Sequence, residues 1–388
     1  MQSSSRWLFS LVLLLGCEDP PPELPPPLPP GPPPAPIAGP RGVADDAAFA
    51  IVPSPDGALL FWAVPYREGG GVRVVTLSPT GGALGAERPV AQRGAAAGGA
   101  AEQHVSQAVE LDAFSVGRRV ALAWVLDYGH HLAVQATWSA DGQRFATVET
   151  LGRTVRRDEG TRGRVAVSGD EDHLLVHHRT EEADCVASEG RCAMFARHGL
   201  DGATGRPGPS EVREPCEPLV GGALFRAGTW YDAVCHVEGG APSTTIESVR
   251  PALSYAGPTT FAGCVPVALA PLDDGVLALA RCRDTLAGHA LDEMGRTRAS
   301  FSPIERVAAC EDGRPVLRAR EGRREAKLTL GAAIGRIEGL LPEDLAPAGA
   351  RAVWTGEAIL VAVPVRRSLI LRRYQCRPDG RLDRTDAL

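Results

Sequence analysis

Beyond residue 44 the chain has no long stretch of helical period, and its apolar residues instead come in short runs separated by Gly, Pro and Asp-Gly turns. This alternation excludes a helical protein and demands β-structure. The most apolar run recurs as Leu59 to Val64, Val120 to Val125, His173 to His178, Trp230 to Val237, Val276 to Arg281, Pro315 to Arg318 and Ile359 to Val363. A second run follows several of these, as at Val72 to Leu77, Leu132 to Trp138 and Leu369 to Tyr374, often next to a tight turn such as Asp141-Gly142, Asp201-Gly202 or Asp379-Gly380. Asp-Gly suits such turns because glycine and aspartate tolerate the positive φ that two-residue hairpins need.

The runs recur about every fifty residues, and a period of that size with three or four strands per unit is the signature of a β-propeller, whose units are blades packed on one another. The sequence predicts an all-β propeller of about seven blades over residues 44–388, with six or eight also compatible with the spacing. The unit around Cys310 to Leu340 is irregular and reads as a degenerate blade; a pair of β-sandwiches is the rival architecture. Val353-Trp354-Thr355-Gly356, followed by Ile359 to Val363 and Pro378-Asp379-Gly380, resembles the blade repeat of uncharacterised propeller lipoproteins of GC-rich Gram-negative bacteria. Ser139-Ala140-Asp141-Gly142 with Phe145 resembles the Asp-box of sialidase-like propellers, differing by one residue in length and by Phe in place of Trp. In that family the box stabilises a turn away from the catalytic centre, so the resemblance implies fold and not hydrolysis.

The first 43 residues are of another kind. Met1 to Gly16 reads as an export signal: one positive charge at Arg6, an apolar run from Trp7 to Leu15, and small Gly16 before Cys17. The run is far short of the ~20 apolar residues a spanning helix needs. Leu14-Leu15-Gly16-Cys17 resembles the lipobox of bacterial lipoproteins, which implies cleavage after Gly16 and acylation of Cys17. Each buried lipid CH₂ contributes about 0.8 kcal/mol, and two or more acyl chains anchor stably, so the resemblance predicts attachment to the inner or outer membrane, with the body in the periplasm or at the cell surface. Glu18 and Asp19 do not choose between the membranes. Pro20 to Pro40 is dominated by proline, which admits neither helix nor sheet interior and favours polyproline II. At about 3.1 Å per residue this spacer reaches roughly 65 Å.

An exported chain folds in an oxidising compartment, and setting Cys17 aside leaves an even set of cysteines from the total of nine. The spacing pairs Cys185 with Cys192 across a polar loop, Cys216 with Cys235 and Cys264 with Cys282 at like places in successive units, and Cys310 with Cys376 by elimination. A metal cluster is not expected, since no Cys-x-x-Cys or Cys-x-x-His spacing occurs. Net charge is −6 with the two signs interleaved, which argues against a nucleic-acid partner. Lys327 is the sole lysine and asparagine is absent, a bias of GC-rich coding that makes the many arginines poor functional markers.

No catalytic residue and no cofactor is predicted. His130-His131, and His173 with His177-His178, are only partial ligand sets and read as solvated or core histidines. A sialidase-like enzyme would need a Tyr nucleophile with a carboxylate, and Tyr66, Tyr128, Tyr231 and Tyr374 carry no distinguishing context. Gly-x-Ser-x-Gly, His-Glu-x-x-His and phosphate-loop patterns are missing from the sequence. Trp62, Trp124 and Trp354 read as core, and Arg318 to Lys327 as a solvated strand pair or loop. The expected function is a membrane-anchored, non-enzymatic binding or scaffold module for an envelope protein or a glycan. The alternatives are a sialidase-like carbohydrate-active enzyme and an outer-membrane assembly factor, the latter by fold analogy alone.

Overall fold

The computed structural model describes residues 48–64, 71–91, 107–128, 131–155, 165–169, 174–180, 193–199, 210–212, 215–226, 228–238, 240–249, 256–272, 275–329, 337–365 and 368–385. By compactness the chain divides into Met1–Pro34 and Ala35–Leu388, and every described residue belongs to the second unit. The leader, Cys17, the spacer, Cys185, Cys192, Tyr66, His130 and His173 lie outside the described residues.

Hydrogen bonding groups the described strands into six antiparallel sheets, each assembled in chain order. The first sheet is β1 (Phe49–Ser54), β2 (Gly57–Ala63), β3 (Val72–Leu77) and β4 (Arg88–Ala91). The second is β5 (Gln107–Val116), β6 (Arg119–Asp127), β7 (His131–Ser139) and β8 (Glu149–Val155). The third is β9 (Val165–Gly169), β10 (Leu174–Thr180), β11 (Ala193–Gly199) and β12 (Ser210–Val212). The fourth is β13 (Pro215–Arg226), β14 (Thr229–Glu238), β15 (Ala241–Val249) and β16 (Ala256–Ala262). The fifth has six strands: β17 (Cys264–Leu272), β18 (Gly275–Cys282), β19 (Thr285–Leu291), β20 (Thr297–Glu311), β21 (Arg314–Glu321) and β22 (Arg324–Thr329). The sixth is β23 (Arg351–Trp354), β24 (Ala358–Val365), β25 (Ser368–Cys376) and β26 (Leu382–Arg384).

The first strands of neighbouring sheets touch in the order β1, β5, β9, β13, β17, and β23 touches β1, so the first and last sheets meet and the sheets form a propeller ring. Between β17 and β23 the inner position holds no described strand; both strands instead contact the 3-10 turn Glu338–Leu340. Ile337, Leu340 and Leu341 fill that sector within the core shared by the fifth and sixth sheets.

The core lies between sheets, and its most continuously buried strands are second strands such as β2, β6 and β24. In β2, Ala58, Leu60 and Trp62 pack toward the sixth sheet while Leu59, Phe61 and Ala63 pack toward the second. β6 alternates likewise, with Val120, Leu122 and Trp124 on one side and Ala121, Ala123 and Val125 on the other. β24 places Ala358, Leu360 and Ala362 against the first sheet and Ile359, Val361 and Val363 against the fifth. A strand buried on both faces cannot alternate apolar with polar, and therefore reads as an unbroken apolar run. Six of the seven recurring runs fall on second strands. The seventh, Pro315–Arg318, lies instead in β21, as the fifth strand of a six-stranded sheet. There β20 pairs with β19 over Thr297–Ile304 and with β21 over Ile304–Glu311, and a register shift between Glu305 and Ala309 interrupts the β20–β21 ladder.

Two of the four expected disulfides are seen whole, Cys264–Cys282 and Cys310–Cys376. Cys235 is disulfide-bonded as well. The first joins directly opposed residues of β17 and β18. The second ties β20 to β25 across the irregular sector, where the Cys310 N–H also donates to the Gly380 carbonyl.

Candidate binding face

Antiparallel strands taken in chain order fix where each connection emerges. Links from first to second and from third to fourth strand leave one end of the ring, here called the turn end. Links from second to third strand, and from one sheet to the next, leave the other, the connection end.

The turn end is occupied by contacts between sheets. Arg88 of the first sheet donates from Nη1 to the Gln143 carbonyl at 2.8 Å and from Nη2 to the Gly142 carbonyl at 3.3 Å, gripping the β7–β8 turn of the second. In the fourth sheet Tyr231 Oη and Thr229 Oγ1 each donate over 2.8 Å to the Asp292 and Glu293 carbonyls of the β19–β20 turn. In the sixth sheet Arg373 Nη1 donates to the Thr80 carbonyl of the β3–β4 turn at 3.2 Å. The β25–β26 turn is met by the Cys310 N–H described above. In all four cases a third-to-fourth-strand turn offers backbone carbonyls to a donor on the sheet before it.

Side chains close these turns. Asp141 Oδ1 accepts the N–H groups of Gln143 and Arg144 at 2.8 and 2.9 Å and the Ser139 hydroxyl at 3.0 Å. The backbone N–H of Arg144, then that of Gln143, stabilise the carboxylate and lower its pKa from 3.8 to about 2. Asp292 repeats the device with the N–H groups of Met294 and Arg296. Phe145 packs edge-on against Phe61 of the first sheet, 6.0 Å between centroids. The Asp-box-like motif is therefore a turn at the end opposite the connections.

The three longest intervals between consecutive strands, 330–350, 92–106 and 181–192, begin and end at strand termini of the connection end. Carboxylates tie neighbouring inner elements of the ring together. Buried Asp112 on β5 accepts the N–H of Val167, on the inner strand of the next sheet, at 2.7 Å. Glu338 accepts the N–H of Ala352 at 3.2 Å and pairs with Arg351 at 3.3 Å. An inner strand has no sheet partner on its channel side, so these side chains satisfy groups that would otherwise be open. A bulge between Ala108 and Glu110 sets Val109 outside the β5 ladder, and its side chain is 41% exposed.

The β6–β7 hairpin closes at this end through the Tyr128 N–H to the His131 carbonyl, 2.9 Å, around the dipeptide Gly129-His130. Its register puts Tyr128 opposite His131, and their rings stack with centroids 4.6 Å apart and planes 11° apart. Both side chains are half-buried. Sequence reasoning singled out both residues without joining them; the signal was the i, i+3 spacing across a two-residue Gly-His tip, which makes flanking residues cross-strand neighbours.

Other candidates fall into the framework. Tyr231 and Tyr374 are 0% and 2% exposed and give their hydroxyls to the Asp292 and Leu345 carbonyls, so neither is placed as a nucleophile. Trp62, Trp124 and Trp354 are buried between sheets. The His178 ring is buried against Gly152 of the second sheet, where a β-carbon would come within 3.0 Å of Cε1. His289 is half-buried, packed with its ring tilted 38° against Phe261 and hydrogen-bonded to Ser300, and desolvation lowers its pKa. Arg318 and Lys327 lie in the exposed β21–β22 hairpin. Among the described residues no group of three or more His, Cys, Asp or Glu could hold a metal ion.

No protein-family model and no curated protein matches the chain. Solved structures resemble it at low identity. A variant of the Aleuria aurantia lectin, in complex with Fucα1-6GlcNAc, is 7% identical over 89% of this chain and 97% of its own, with a TM-score of 0.45. Trypanosoma rangeli sialidase is 11% identical over 77% of this chain and 57% of its own, TM-score 0.37. An endo-arabinanase from Bacillus licheniformis is 13% identical over 66% of this chain and 97% of its own, TM-score 0.32. No residue here takes a role from them.

Proposed function

We propose that the chain is a lipid-anchored envelope protein, held through Cys17 and the Pro20–Pro40 spacer, whose propeller binds a protein or glycan at its connection end without catalysing a reaction. One observation carries the placement of the binding face: the two ends of the ring are built differently. At the turn end, backbone carbonyls are engaged by neighbouring sheets, as at Gly142, Gln143, Asp292 and Glu293. At the other end the strands leave into and return from the long intervals 92–106 and 181–192, and variable recognition chemistry belongs on such connections between framework strands. Replacing 92–106 by a short Gly-Ser linker tests this. The reading expects loss of the partner with an unchanged melting temperature, and it fails if capture of the partner is unaffected.

The sialidase-like alternative loses two of its tyrosines, because Tyr231 and Tyr374 are spent on backbone carbonyls. It would return if the protein released sugar from a chromogenic sialoside and a substitution of Tyr66 or Tyr128 abolished that release.

A further inference from the structure

We infer that the stacked pair Tyr128–His131 is a sugar-contacting platform, receiving the C–H face of a pyranose ring at the connection end beside the first sheet. This rests on the glycan arm of the proposed function and gives that arm a place and a chemistry.

The pair is built for presentation more than for the core. The last strand residue before it on the same face, Leu126, already packs against the hydrophobic core shared by the first and second sheets, and Tyr128 lies one step beyond it. Leu132, on the opposite face, packs into the core shared with the third sheet. The rings therefore sit past the end of the apolar seam on the side facing the first sheet, half-buried and not enclosed. Their orientation is fixed twice, by the 2.9 Å backbone bond that closes the hairpin and by the 11° stack. A flat, pre-ordered aromatic surface costs little entropy on binding, and the electron-rich face of a ring favours the weakly positive C–H groups of a sugar. Exposed Val109, on the inner strand that pairs with β6, adds apolar surface at the same end of the second sheet.

The test uses the full-length lipidated protein in detergent and a panel of methyl glycosides: glucoside, galactoside, mannoside, fucoside and N-acetylglucosaminide. Saturation-transfer NMR and titration calorimetry identify any binder, and the melting temperature is followed in parallel. The expected result is that at least one glycoside binds and perturbs the His131 ring signals. Tyr128→Ala and His131→Ala should each raise Kd at least tenfold with the melting temperature unchanged, while Tyr128→Phe, which keeps the ring, stays within about twofold. A glycoside that binds wild type and both alanine variants equally overturns the platform and leaves glycan binding standing elsewhere. Absence of binding by any glycoside overturns the platform together with the glycan arm.

Discussion

Arg373 is the residue whose loss should best report how the ring is closed. Its Nε donates to Thr385 Oγ1 at 2.7 Å, its Nη2 to the Thr385 carbonyl at 2.8 Å and its Nη1 to the Thr80 carbonyl at 3.2 Å. One guanidinium thus joins the sixth sheet to the segment after β26 and to a turn of the first sheet. Hydrogen bonds to a charged donor contribute about 1.5–3 kcal/mol each when well shielded. Arg373 is only partly buried, so water recovers much of that; taking about 1 kcal/mol for each short bond and little for the long one gives about 2 kcal/mol. Arg373→Met keeps most of the apolar stem and removes all three bonds. With about 2.1 cal/mol/K per residue over about 340 residues, the unfolding entropy is about 0.7 kcal/mol/K, so 2 kcal/mol corresponds to a fall of about 3 °C. Arg373→Lys should recover less than half of it, because an ammonium cannot span three acceptors in the fork geometry of arginine. Differential scanning calorimetry decides: a Met variant melting within 1 °C of wild type would refute this account of closure.

Other consequences follow from single sites. Asp141 has a folded-state pKa near 2 against an ordinary 3.8, so the stability it supplies is present above about pH 4 and lost as pH falls toward 2. The melting-temperature advantage of wild type over Asp141→Asn should therefore be constant near neutrality and shrink between pH 4 and 2; a difference independent of pH would count against the turn geometry. A β-carbon at Gly288 would come within 2.8 Å of Ile304 Cδ1 and 3.0 Å of Leu279 Cδ2, so Gly288→Ala should destabilise by about 1–3 kcal/mol in urea unfolding, and a neutral result would contradict the packing of the fifth sheet. Cys17→Ser should move the protein from the membrane to the soluble fraction and abolish labelling by a palmitate analogue. Retention in the membrane fraction would remove the lipid anchor from the account.

Much of the fold is legible because second strands such as β2, β6 and β24 are buried on both faces, so that Leu59 to Val64 or Ile359 to Val363 stand out as unbroken apolar runs. The same physics hid the order of the fifth sheet. Pro315–Arg318 has the composition of a second strand, yet whether it opens a separate sheet or extends an existing one depends on long-range pairing that no local pattern encodes. The filling of the inner sector by Ile337, Leu340 and Leu341 is equally non-local. Cys264–Cys282 was readable from spacing, since directly opposed residues of a hairpin are natural partners, whereas Cys310–Cys376 followed from counting alone. At the turns, Ser139 and Asp141 disclosed a closed loop, but the guanidinium of Arg88 that grips it comes from another sheet. The aromatic pair is half legible: Tyr128 and His131 each stand out by residue type, and only the register of the hairpin makes them one surface.

The central claim is that recognition belongs to the connection end while the turn end serves the ring. Hydrogen exchange read by mass spectrometry, on the lipidated protein with and without solubilised envelope glycan, tests it most directly. The account predicts added protection in peptides containing residues 92–106 and 128–131, with residues 139–146, 292–296 and 377–381 unchanged. Protection confined to those turns, with none around Tyr128, would contradict it.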